Sequence, residues 1–412
     1  MATTPESPLD DLRLLDAEHW TDGPPLETFK RLRAECPVHW SPGMTDFPEE
    51  PGFWSITTGE HMATVSKDWR TFSSEVGGML AMPSRFFPLE IQNAMFIGMD
   101  PPKHDRLKAL FQRGFTPKRI AAHEAEIRAI VVGVLDGLGD RERCDLVTDV
   151  AQPCVSRVIG SFMGIAPEDD AAWARLLNAI VAADDRGTNP EGPASVMERD
   201  MPEVIARCQE LIAARKRQPT DDLTTVLVEA EIDGERLTES EIVMGFVLLM
   251  TAGNDSTKST YCATMRALMD APDQLRQLVD DPALVADAVE EGLRMFPAFA
   301  HFRRTATRDV ELGGRQIHAG DKVVMWYPSA GREEARYEDA DRFDVRRRPE
   351  HSAFGAGGRH FCLGSALARL ELRMMIGETV ARYPAIRIDG TPRAAQAVFV
   401  NQLTTLPVRL RG

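Results

Sequence analysis

The chain has 412 residues, of which 43% are hydrophobic, and a formal net charge of -15 at pH 7. This hydrophobic content excludes a disordered protein, and the length allows a large core with an internal cavity. The acidic balance argues against general binding to nucleic acids or to anionic membranes.

The sequence shows neither a targeting segment nor a membrane span. Residues 1–11 are polar and contain proline, which is unlike a signal peptide. The longest apolar run, at residues 242–252, is shorter than the ~18 residues that a span requires. The six cysteines have no metal-type spacing, as expected in a reducing compartment. We therefore expect a soluble, cytoplasmic protein without a membrane anchor.

The predicted elements begin with a short helix and a small hairpin. Strand patterns occur at about residues 37–57 and again at about 305–327 and 386–410. Helical patterns dominate from about residue 60 to 300. Because no linker separates these segments, we expect a single domain over residues 1–412. The pattern predicts a mainly α fold with a small β portion.

A long apolar loop is predicted at residues 76–98, because its hydrophobic residues follow no clear period. Long apolar loops in compact domains are often functional lids. We expect this loop to contribute to an apolar pocket, although a single apolar residue is more often part of the core. The pocket candidates along the whole chain are Met79, Phe86, Phe87, Val247, Leu248, Ala252, Ala298, Phe299 and Val400. His301 is a candidate polar anchor for a ligand, with a solvent-facing position as the alternative.

Several cationic side chains stand out individually. His104 and Lys108 lie one helical turn apart after a helix start at residues 100–102. Arg304 precedes a strand-rich segment, and His360 lies just before Cys362. Each of them, taken alone, is most simply a surface cation.

Polar residues interrupt an apolar helix at residues 252–257 (Ala-Gly-Asn-Asp-Ser-Thr). An acid such as Asp255 in this setting is costly unless it is satisfied or useful. Gly253 lacks a side chain, so a flat ligand or an oxygen could approach the backbone. Ser256 or Thr257 could bond back to a helix carbonyl and loosen a turn. The segment indicates a functional site, with a buried helix kink as the alternative.

Glu291 and Arg294 share one face of a later predicted helix and can form an ion pair. Such pairs also occur on many solvated helices. This one follows a long apolar helix and precedes a proline-bearing bend. A buried pair is strong only if further hydrogen bonds complete it. The candidates for a third member are Arg346, Arg347 and Arg348.

A glycine-rich loop at residues 354–364 surrounds Cys362, and a helical pattern follows it. Glycine lets the backbone approach a ligand closely. Loop amides and the positive end of the helix would favour the thiolate form of the cysteine. The alternative is an ordinary buried cysteine in a glycine-rich turn.

Together these segments resemble the cytochrome P-450 superfamily, of the soluble bacterial type. The Cys362 loop resembles its haem-binding loop, residues 252–257 its oxygen-activation segment, and Glu291 with Arg294 its Glu-x-x-Arg motif. The resemblance covers nearly the whole chain. It implies the fold of that family, with haem b between a long central helix and the helix that follows the cysteine loop.

The resemblance also implies the residues that hold the haem. Cys362 would be the iron ligand. The positions that match cofactor-binding residues of the family are His104, Lys108, Arg304, His360, Gly253, Phe354, Gly358 and Gly364. Two departures stand out: Lys108 replaces the usual arginine, and Phe354 lies eight residues before Cys362, one more than usual. The second departure leaves open whether Gly357 or Gly358 lies under the haem.

The reaction implied by the resemblance is that of a haem-thiolate monooxygenase. It would insert one atom of O2 into a C–H bond of an apolar sterol, terpenoid, branched lipid or alkane. Asp255, Ser256 and Thr257 would be catalytic, with Ser256 replacing the usual threonine. We expect a monomer that receives electrons from a separate ferredoxin and ferredoxin reductase. The candidate docking patch for the ferredoxin consists of Arg106, Arg113, Lys118, Arg119 and Arg359. The alternative is that these five residues are merely scattered, solvated cations.

Two alternative functions are kept. A non-catalytic haem protein that recruits a partner would be expected to lack the acid–hydroxyl pair, but Asp255 and Ser256 are both present. A peroxide-using peroxygenase would usually place an arginine or another anchor near the oxygen site. The sequence therefore favours the monooxygenase.

Overall fold

The structure of the protein is a computed structural model. It describes residues 11–81, 88–181, 189–232 and 234–411, together with Leu9, Ala183 and Asp185. Two of the pocket candidates, Phe86 and Phe87, lie outside the described residues. Within the described part of the chain the fold is mainly helical with small sheets, as the sequence predicts.

Helices form most of the described residues. The α-helices are α1 (Leu26–Glu35), α2 (Gly59–Lys67), α3 (Leu89–Ala94), α4 (Lys103–Gln112), α5 (Pro117–Ala122), α6 (Glu124–Gly137), α7 (Gln152–Met163), α8 (Asp170–Val181), α9 (Pro193–Ser195), α10 (Met201–Arg217), α11 (Leu223–Glu229), α12 (Glu239–Asp270), α13 (Pro272–Asp280), α14 (Val285–Met295), α15 (Tyr327–Ala330) and α16 (Ser365–Arg382). Short 3-10 or π-helical turns occur at Ala17–Trp20, Phe96–Gly98, Arg113–Phe115, Leu146–Ala151, Pro167–Asp169, Val196–Asp200 and Pro282–Leu284. The helical region predicted at about residues 60–300 thus corresponds to α2 through α14.

Helix α12 is the long central helix, with 32 residues. It begins in a capping box, in which the Glu241 amide donates to the Thr238 hydroxyl oxygen and the Thr238 amide donates to the Glu241 carboxylate. Helices α7, α8, α10, α14 and α16 pack around it.

Two large apolar clusters meet along α12. The first packs against the apolar run at residues 242–250, and the second packs against the half that begins at Tyr261. The polar segment at residues 252–257 lies between these clusters. A helix that is apolar on both sides of a polar turn is consistent with a cavity at that turn.

The strands form one five-stranded sheet and several smaller sheets. The strands are β1 (Val38–Ser41), β2 (Phe53–Ile56), β3 (Phe72–Ser73), β4 (Arg143–Asp145), β5 (Glu231–Ile232), β6 (Glu235–Arg236), β7 (His301–Ala306), β8 (Val310–Leu312), β9 (Arg315–Ile317), β10 (Lys322–Trp326), β11 (Arg387–Ile388), β12 (Arg393–Ala394), β13 (Leu403–Thr405) and β14 (Pro407–Arg409). The large sheet has the order β1-β2-β10-β7-β3, in which β2 and β10 are parallel and the other pairs are antiparallel. The chain end joins the helical part through the sheet β11-β14-β4.

The predicted loop at residues 76–98 is partly helical, which corrects the sequence-based expectation. Helix α3 and the turn at Phe96–Gly98 occupy its second half. A helix of six residues spans less than two turns, so its apolar residues cannot establish a visible period. Among the described residues, no helix combines the length and the apolar character needed to cross a membrane.

Candidate functional site

An internal cavity lies between the middle of α12 and the loop that carries Cys362. Helices α4 and α16 and strand β7 complete its wall. The cavity brings together residues that are up to 306 positions apart in the sequence, from Ser66 to Leu372. The predicted site residues that line it are His104, Lys108, Leu248, Ala252, Gly253, Ser256, Thr257, Ala298, Phe299, Arg304, Phe354, His360, Cys362 and Gly364.

Cys362 is exposed, whereas the other cysteines are buried or half-buried. Its accessible surface faces the cavity and a groove beside the loop. Its amide donates to the Phe354 carbonyl at 2.9 Å, which closes the loop before α16 begins. Because protein atoms surround the sulfur, burial raises the pKa of the thiol, while the Gly364 amide and the charges of Lys108 and Arg369 lower it. The sulfur therefore meets the cavity in surroundings that partly favour a thiolate.

The glycines of the cysteine loop have different neighbours. Gly355 and Gly364 line the cavity. Gly358 has a φ of +82° and packs against α2, where a Cβ would lie 2.5 Å from the carbonyl oxygen of Ser66. Gly357 packs against Lys67 of the same helix. Packing against α2 explains why a glycine is needed at this position, and a contact of Gly358 with the cofactor stays a prediction.

Three predicted cationic side chains gather at one part of the cavity. The rings of His104 and His360 have centroids 4.2 Å apart, and Arg304 is close enough for its charge to act on His360. Burial lowers the pKa of all three side chains. Arg304 donates to the Arg303 carbonyl at 2.7 Å, but no carboxylate pairs with it among the described residues. A buried cation without an anion is costly, so this part of the cavity suits an anionic group.

Lys108 lines the same cavity but binds the cysteine loop. Its ammonium donates to the Phe361 carbonyl at 2.8 Å and also to the Arg359 carbonyl. Burial lowers the pKa of Lys108, while the charge of Cys362 opposes this effect. Two of its three N–H donors are therefore engaged by the loop. Its third N–H donor is not engaged by the loop, and the binding of a cofactor by Lys108 stays a prediction.

The predicted Glu291–Arg294 pair is fully buried and is completed by further hydrogen bonds. Arg294 donates to the two carboxylate oxygens of Glu291 at 2.7 and 2.8 Å. It also donates to the carbonyls of Gly331 and Ala340 at 2.6 and 2.8 Å. Of the three candidates for a third member, Arg347 donates to Glu291 at 3.1 Å. The cluster therefore ties α14 to the chain that leads into the cysteine loop.

Helix α12 places Ser256 and Asp255 on different sides. Ser256 lines the cavity, and its hydroxyl donates to the Ala252 carbonyl at 2.7 Å. Asp255 is 0% exposed, does not line the cavity and forms an ion pair with Lys258. Consecutive helical residues point ~100° apart, which explains the separation. Of the three residues predicted to be catalytic, Ser256 and Thr257 therefore line the cavity, whereas Asp255 lies behind it.

An apolar chamber adjoins the cavity. The residues shared by the two spaces are Ile97, Leu248, Ala252, Phe299 and Phe302. The rest of the chamber's described lining consists of Met79, Leu80, Met95, Ile180, Val181, Ala183, Val247, Thr251 and Phe399. The hydroxyl of Thr251 donates to carbonyls of its own helix. The described lining therefore offers apolar contacts and no charge.

Val400 is a pocket candidate that the structure places behind the wall. It is fully buried, forms an isolated β-bridge with Phe299 and lines neither space. Its neighbour Phe399 lines the chamber instead. The sequence identified the correct turn but not which of two adjacent side chains points inward, which corrects the prediction for Val400.

His301 does not serve as a polar anchor in the chamber lining. Its Nε2 accepts from the Ala81 amide at 3.2 Å, and its Nδ1 lies 3.2 Å from the Val398 carbonyl. Burial lowers the pKa of His301 to about 4, although the bond to Val398 raises it. Side chains alternate along β7, so the face that presents Phe302 to the cavity cannot also present His301. The neutral imidazole ring of His301 therefore links the backbone at Ala81 to the backbone at Val398.

The candidate docking patch is partly neutralised by ion pairs. Arg106 pairs with two glutamates, at 3.0 and 2.9 Å, and Arg119 lies 3.3 Å from an aspartate. Arg359 pairs with Asp105 beside the cysteine loop. These pairs leave less free positive charge than the sequence predicts.

The chain is similar to known proteins over almost its whole length. A protein-family model described as cytochrome P450 matches residues 195–393. A methyl-branched lipid omega-hydroxylase of Mycobacterium tuberculosis is 34% identical over 416 residues, which is 98% of this chain and 96% of that protein. Linalool 8-monooxygenase of Pseudomonas putida is 32% identical over 412 residues, 96% of this chain and 98% of that protein. A solved Mycobacterium marinum cytochrome P450 in complex with pseudoionone has a TM-score of 0.91 and 34% identity, covering 99% of this chain and 100% of that chain.

The chain belongs to the cytochrome P450 family. The fold and the family expected from the sequence are therefore confirmed. This cytochrome P450 is a monooxygenase whose cofactor is haem b, and it uses O2, a small-molecule substrate and redox partners.

The residues of this cytochrome P450 fit haem b. The cavity presents one thiol, at Cys362, and a buried guanidinium without a carboxylate, at Arg304. Between them the wall is largely apolar or backbone, including Phe354 and Gly253. This donor set matches a flat apolar group that carries one metal ion and two carboxylates.

Glu371 is a candidate functional residue that the sequence reasoning missed. It lies on α16, is buried and lines the cavity. Burial raises its pKa to about 8, although a hydrogen bond with Thr257 lowers it. The carboxyl therefore keeps its proton to a higher pH than an exposed glutamate does. Its only signal in the sequence is an acid between two leucines, a pattern that is also common on amphipathic helices.

Proposed function

We propose that this cytochrome P450 hydroxylates a neutral, apolar molecule of terpenoid, sterol, branched-lipid or alkane type. The observation that carries the proposal is the apolar chamber that opens into the Cys362 cavity. Its described lining contains no charged side chain that could pair with an anionic substrate. Burial of hydrophobic surface would supply the binding free energy, at about 25 cal/mol per Å².

The relatives support a substrate of this kind. The Mycobacterium tuberculosis relative is named for a methyl-branched lipid, and the Pseudomonas putida relative for linalool. The Mycobacterium marinum structure contains pseudoionone. Both named relatives are oxygenases, which favours the monooxygenase over a non-catalytic recruitment module.

The cofactor would be held by the residues that meet at the cavity. Cys362 would bind the iron through its sulfur, and the Gly364 amide would orient that sulfur. Arg304, with His104 and His360, would bind the haem carboxylates. When bound, the haem supplies the activation of O2, to which a thiolate ligand contributes electron density.

The residues of the α12 wall and of the adjoining chamber would orient the substrate and supply protons. Ser256 presents a hydroxyl to the cavity and can exchange a proton there, since it is both a donor and an acceptor. Asp255, the adjacent acid, would supply protons to Ser256, and Thr257 would connect the wall to Glu371. Phe299, Phe302 and the other chamber residues would orient the substrate and exclude water.

Electrons would come from a separate ferredoxin and its reductase. Cys362 also lines a groove beside the loop, together with Lys108, Arg359 and Phe361. Phe361 is 42% exposed, so an electron donor could approach within a few residues of the sulfur. Asp105 pairs with Arg359 in this groove, but the ammonium of Lys108 has no carboxylate partner among the described residues, and this remaining positive charge suits an acidic partner.

The experiment is a spectral titration of the haem-loaded protein with terpenes, sterols and matched fatty acids. A neutral apolar ligand should produce the spin-state change that accompanies loss of the axial water. Matched carboxylic acids should bind at least tenfold more weakly, because the chamber offers no counter-charge. Preferential binding of the acids would contradict the proposal. Product formation with peroxide alone, but not with a ferredoxin and its reductase, would favour the peroxygenase alternative.

A further inference from the structure

A buried polar cluster lies behind the α12 wall, on the side away from Ser256. At its centre are Asp255 and Lys258, whose side chains are 0% and 6% exposed. The cluster joins three helices, because its other members lie on α7, α8 and α12. These members are Gln152, Ser156, Asn178 and Asn254.

Lys258 is held from two neighbouring helices as well as by its ion pair. Its ammonium donates to Gln152 Oε1 of α7 at 2.9 Å and to Asn178 Oδ1 of α8 at 3.0 Å. Two of its three N–H donors are therefore hydrogen-bonded, and the ammonium also forms the ion pair with Asp255. Lys258 therefore cannot change its position relative to Asp255 without disturbing α7 and α8.

Asn178 connects this cluster with the apolar chamber. Its amide oxygen accepts from Lys258 and from Asn254 Nδ2, both at 3.0 Å. The last residues of the same helix, Ile180 and Val181, line the chamber. A ligand that displaces this end of α8 would therefore displace Asn178 relative to α12.

The carboxylate of Asp255 is incompletely satisfied. Its Oδ2 accepts a long hydrogen bond of 3.3 Å from Asn254. Its Oδ1 touches the Lys258 ammonium but accepts no aligned hydrogen bond. A buried carboxylate with so few hydrogen bonds depends strongly on its cation. The location of Asp255 is thus set mainly by Lys258.

We propose that Lys258 and Asn178 are positioning residues, which hold Asp255 away from Ser256 and link its release to occupation of the chamber by substrate. This inference rests on the proposed role of Asp255 as the acid behind Ser256. Without a ligand, α8 keeps Lys258 on Asp255. With a ligand, the shift of α8 weakens the Asn178–Lys258 bond, and Asp255 can turn towards Ser256. Proton supply would then follow substrate binding.

The first test is infrared difference spectroscopy of the resting holoenzyme, which requires no turnover. In Lys258→Met and in the smaller, polar Lys258→Gln, Asp255 loses its cation and takes up a proton. Both variants should gain a C=O band of a protonated carboxyl group. The band should be absent from Lys258→Met/Asp255→Asn and from Lys258→Arg, which keeps the charge. Absence of the band from both Lys258→Met and Lys258→Gln would overturn the proposal.

A matched control separates this effect from the loss of any lysine. Lys216 lies on α10 and pairs with Glu239 at the surface, where both side chains are about half exposed. Lys216→Met should gain no carboxyl band, since an exposed glutamate keeps its charge in water. The same band in Lys216→Met would show that the signal is not specific to Asp255 and would also overturn the proposal.

The second test addresses the link to α8. Asn178→Leu removes the hydrogen bonds to Lys258 and leaves the ion pair in place. Without any substrate, this variant should form hydrogen peroxide about threefold to tenfold faster than the parent at equal electron supply. In the Asp255→Asn background, Asn178→Leu should not increase the rate of hydrogen peroxide formation. An unchanged rate in Asn178→Leu, or an equal increase in both backgrounds, would refute the link.

Asp255→Asn alone distinguishes the inference from the function on which it rests. If this variant hydroxylates substrate as fast as the parent, the proposed role of Asp255 as the acid fails. The infrared result still reports whether Lys258 holds the Asp255 carboxylate. If the infrared test is positive and Asp255→Asn turns over normally, Lys258 does hold Asp255, but Asp255 does not supply protons to Ser256.

Discussion

The two walls of the cavity are stabilised by different kinds of interaction. The wall that carries Cys362 is anchored by charged side chains bound to backbone carbonyls, with the buried Arg294 beneath it and the half-buried Lys108 beside it. The α12 wall presents small groups such as Ala252 and Ser256, and its charged residues lie behind it. The comparison teaches that one wall is fixed for holding the cofactor, while the other leaves room for substrate and for moving protons.

The largest expected effect comes from breaking the anchor of the cysteine-loop wall. Arg294→Met leaves Glu291 buried with only Arg347 as a partner cation, and should lower the free energy of unfolding by about 3–5 kcal/mol. Denaturant unfolding at equal haem content measures the change. Arg346→Met is the control, because Arg346 bonds Gln277 at the exposed surface and should change stability by less than about 1 kcal/mol. Equal effects of the two substitutions would remove the distinction between a buried anchor and a surface contact.

The second prediction concerns haem retention. Arg304→Gln removes the buried cation at the cavity and should speed haem transfer to apomyoglobin about tenfold or more, because a hydrogen bond to a charged group is lost. Arg303→Gln is the matched control. Arg303 is adjacent on β7 but lies outside the described cavity lining. Faster loss from Arg303→Gln than from Arg304→Gln would show that the wrong arginine is assigned to the haem.

The third prediction concerns Glu371, the buried acid on α16 that lines the cavity opposite α12. Between about pH 4.5 and 8 this carboxyl is protonated in the folded protein, where its pKa is about 8, and ionised in the unfolded chain. The folded state therefore binds the extra proton, and its stability falls as the pH rises through this window. Glu371→Gln cannot ionise, so the parent should lose a few kcal/mol relative to this variant between pH 5 and 8.

The control for this pH effect is Glu378→Gln. Glu378 lies on the same helix but pairs with Arg128 at the surface, outside the cavity. Its pH profile of unfolding should run parallel to that of the parent. Parallel profiles for Glu371→Gln and the parent would instead show that Glu371 ionises normally and is not a buried acid.

The smallest effect is expected in the apolar chamber. Phe399→Ala removes an aromatic ring whose centroid is 5.1 Å from that of Phe299. It should weaken binding of linalool by about 1 kcal/mol, roughly fivefold, with haem content unchanged. The spin-state titration measures the affinity, and Phe47→Leu, outside the chamber lining, serves as control. Unchanged affinity in Phe399→Ala would place the substrate elsewhere.

Local patterns were sufficient to predict the parts of the site that are close together in the sequence. Glycine spacing indicated the loop of Cys362, and helical spacing indicated that Glu291 could pair with Arg294. Arg347 could be named only as one of three candidates, because the path of the chain after α14 is not a local property. Periodicity predicted the helical region and the positions of the small sheets, whereas the long central helix was expected from the family resemblance.

Side-chain direction and long-range partners could not be predicted in the same way. The segment at residues 252–257 does not reveal which side of α12 faces the cavity, so the sequence could not show that Asp255 lies behind the wall that Ser256 and Thr257 line. Lys258 is bound by Gln152 and Asn178, which lie on other helices. Only the packing of α7 and α8 against α12 brings them together.

The central claim is that the sulfur of Cys362 binds the haem iron. The most direct measurement is the absorption spectrum of the ferrous carbon monoxide complex of the parent and of Cys362→His, at equal haem content. Thiolate ligation predicts a red-shifted Soret band in the parent and its loss in Cys362→His. The same red-shifted band in both proteins would contradict the account.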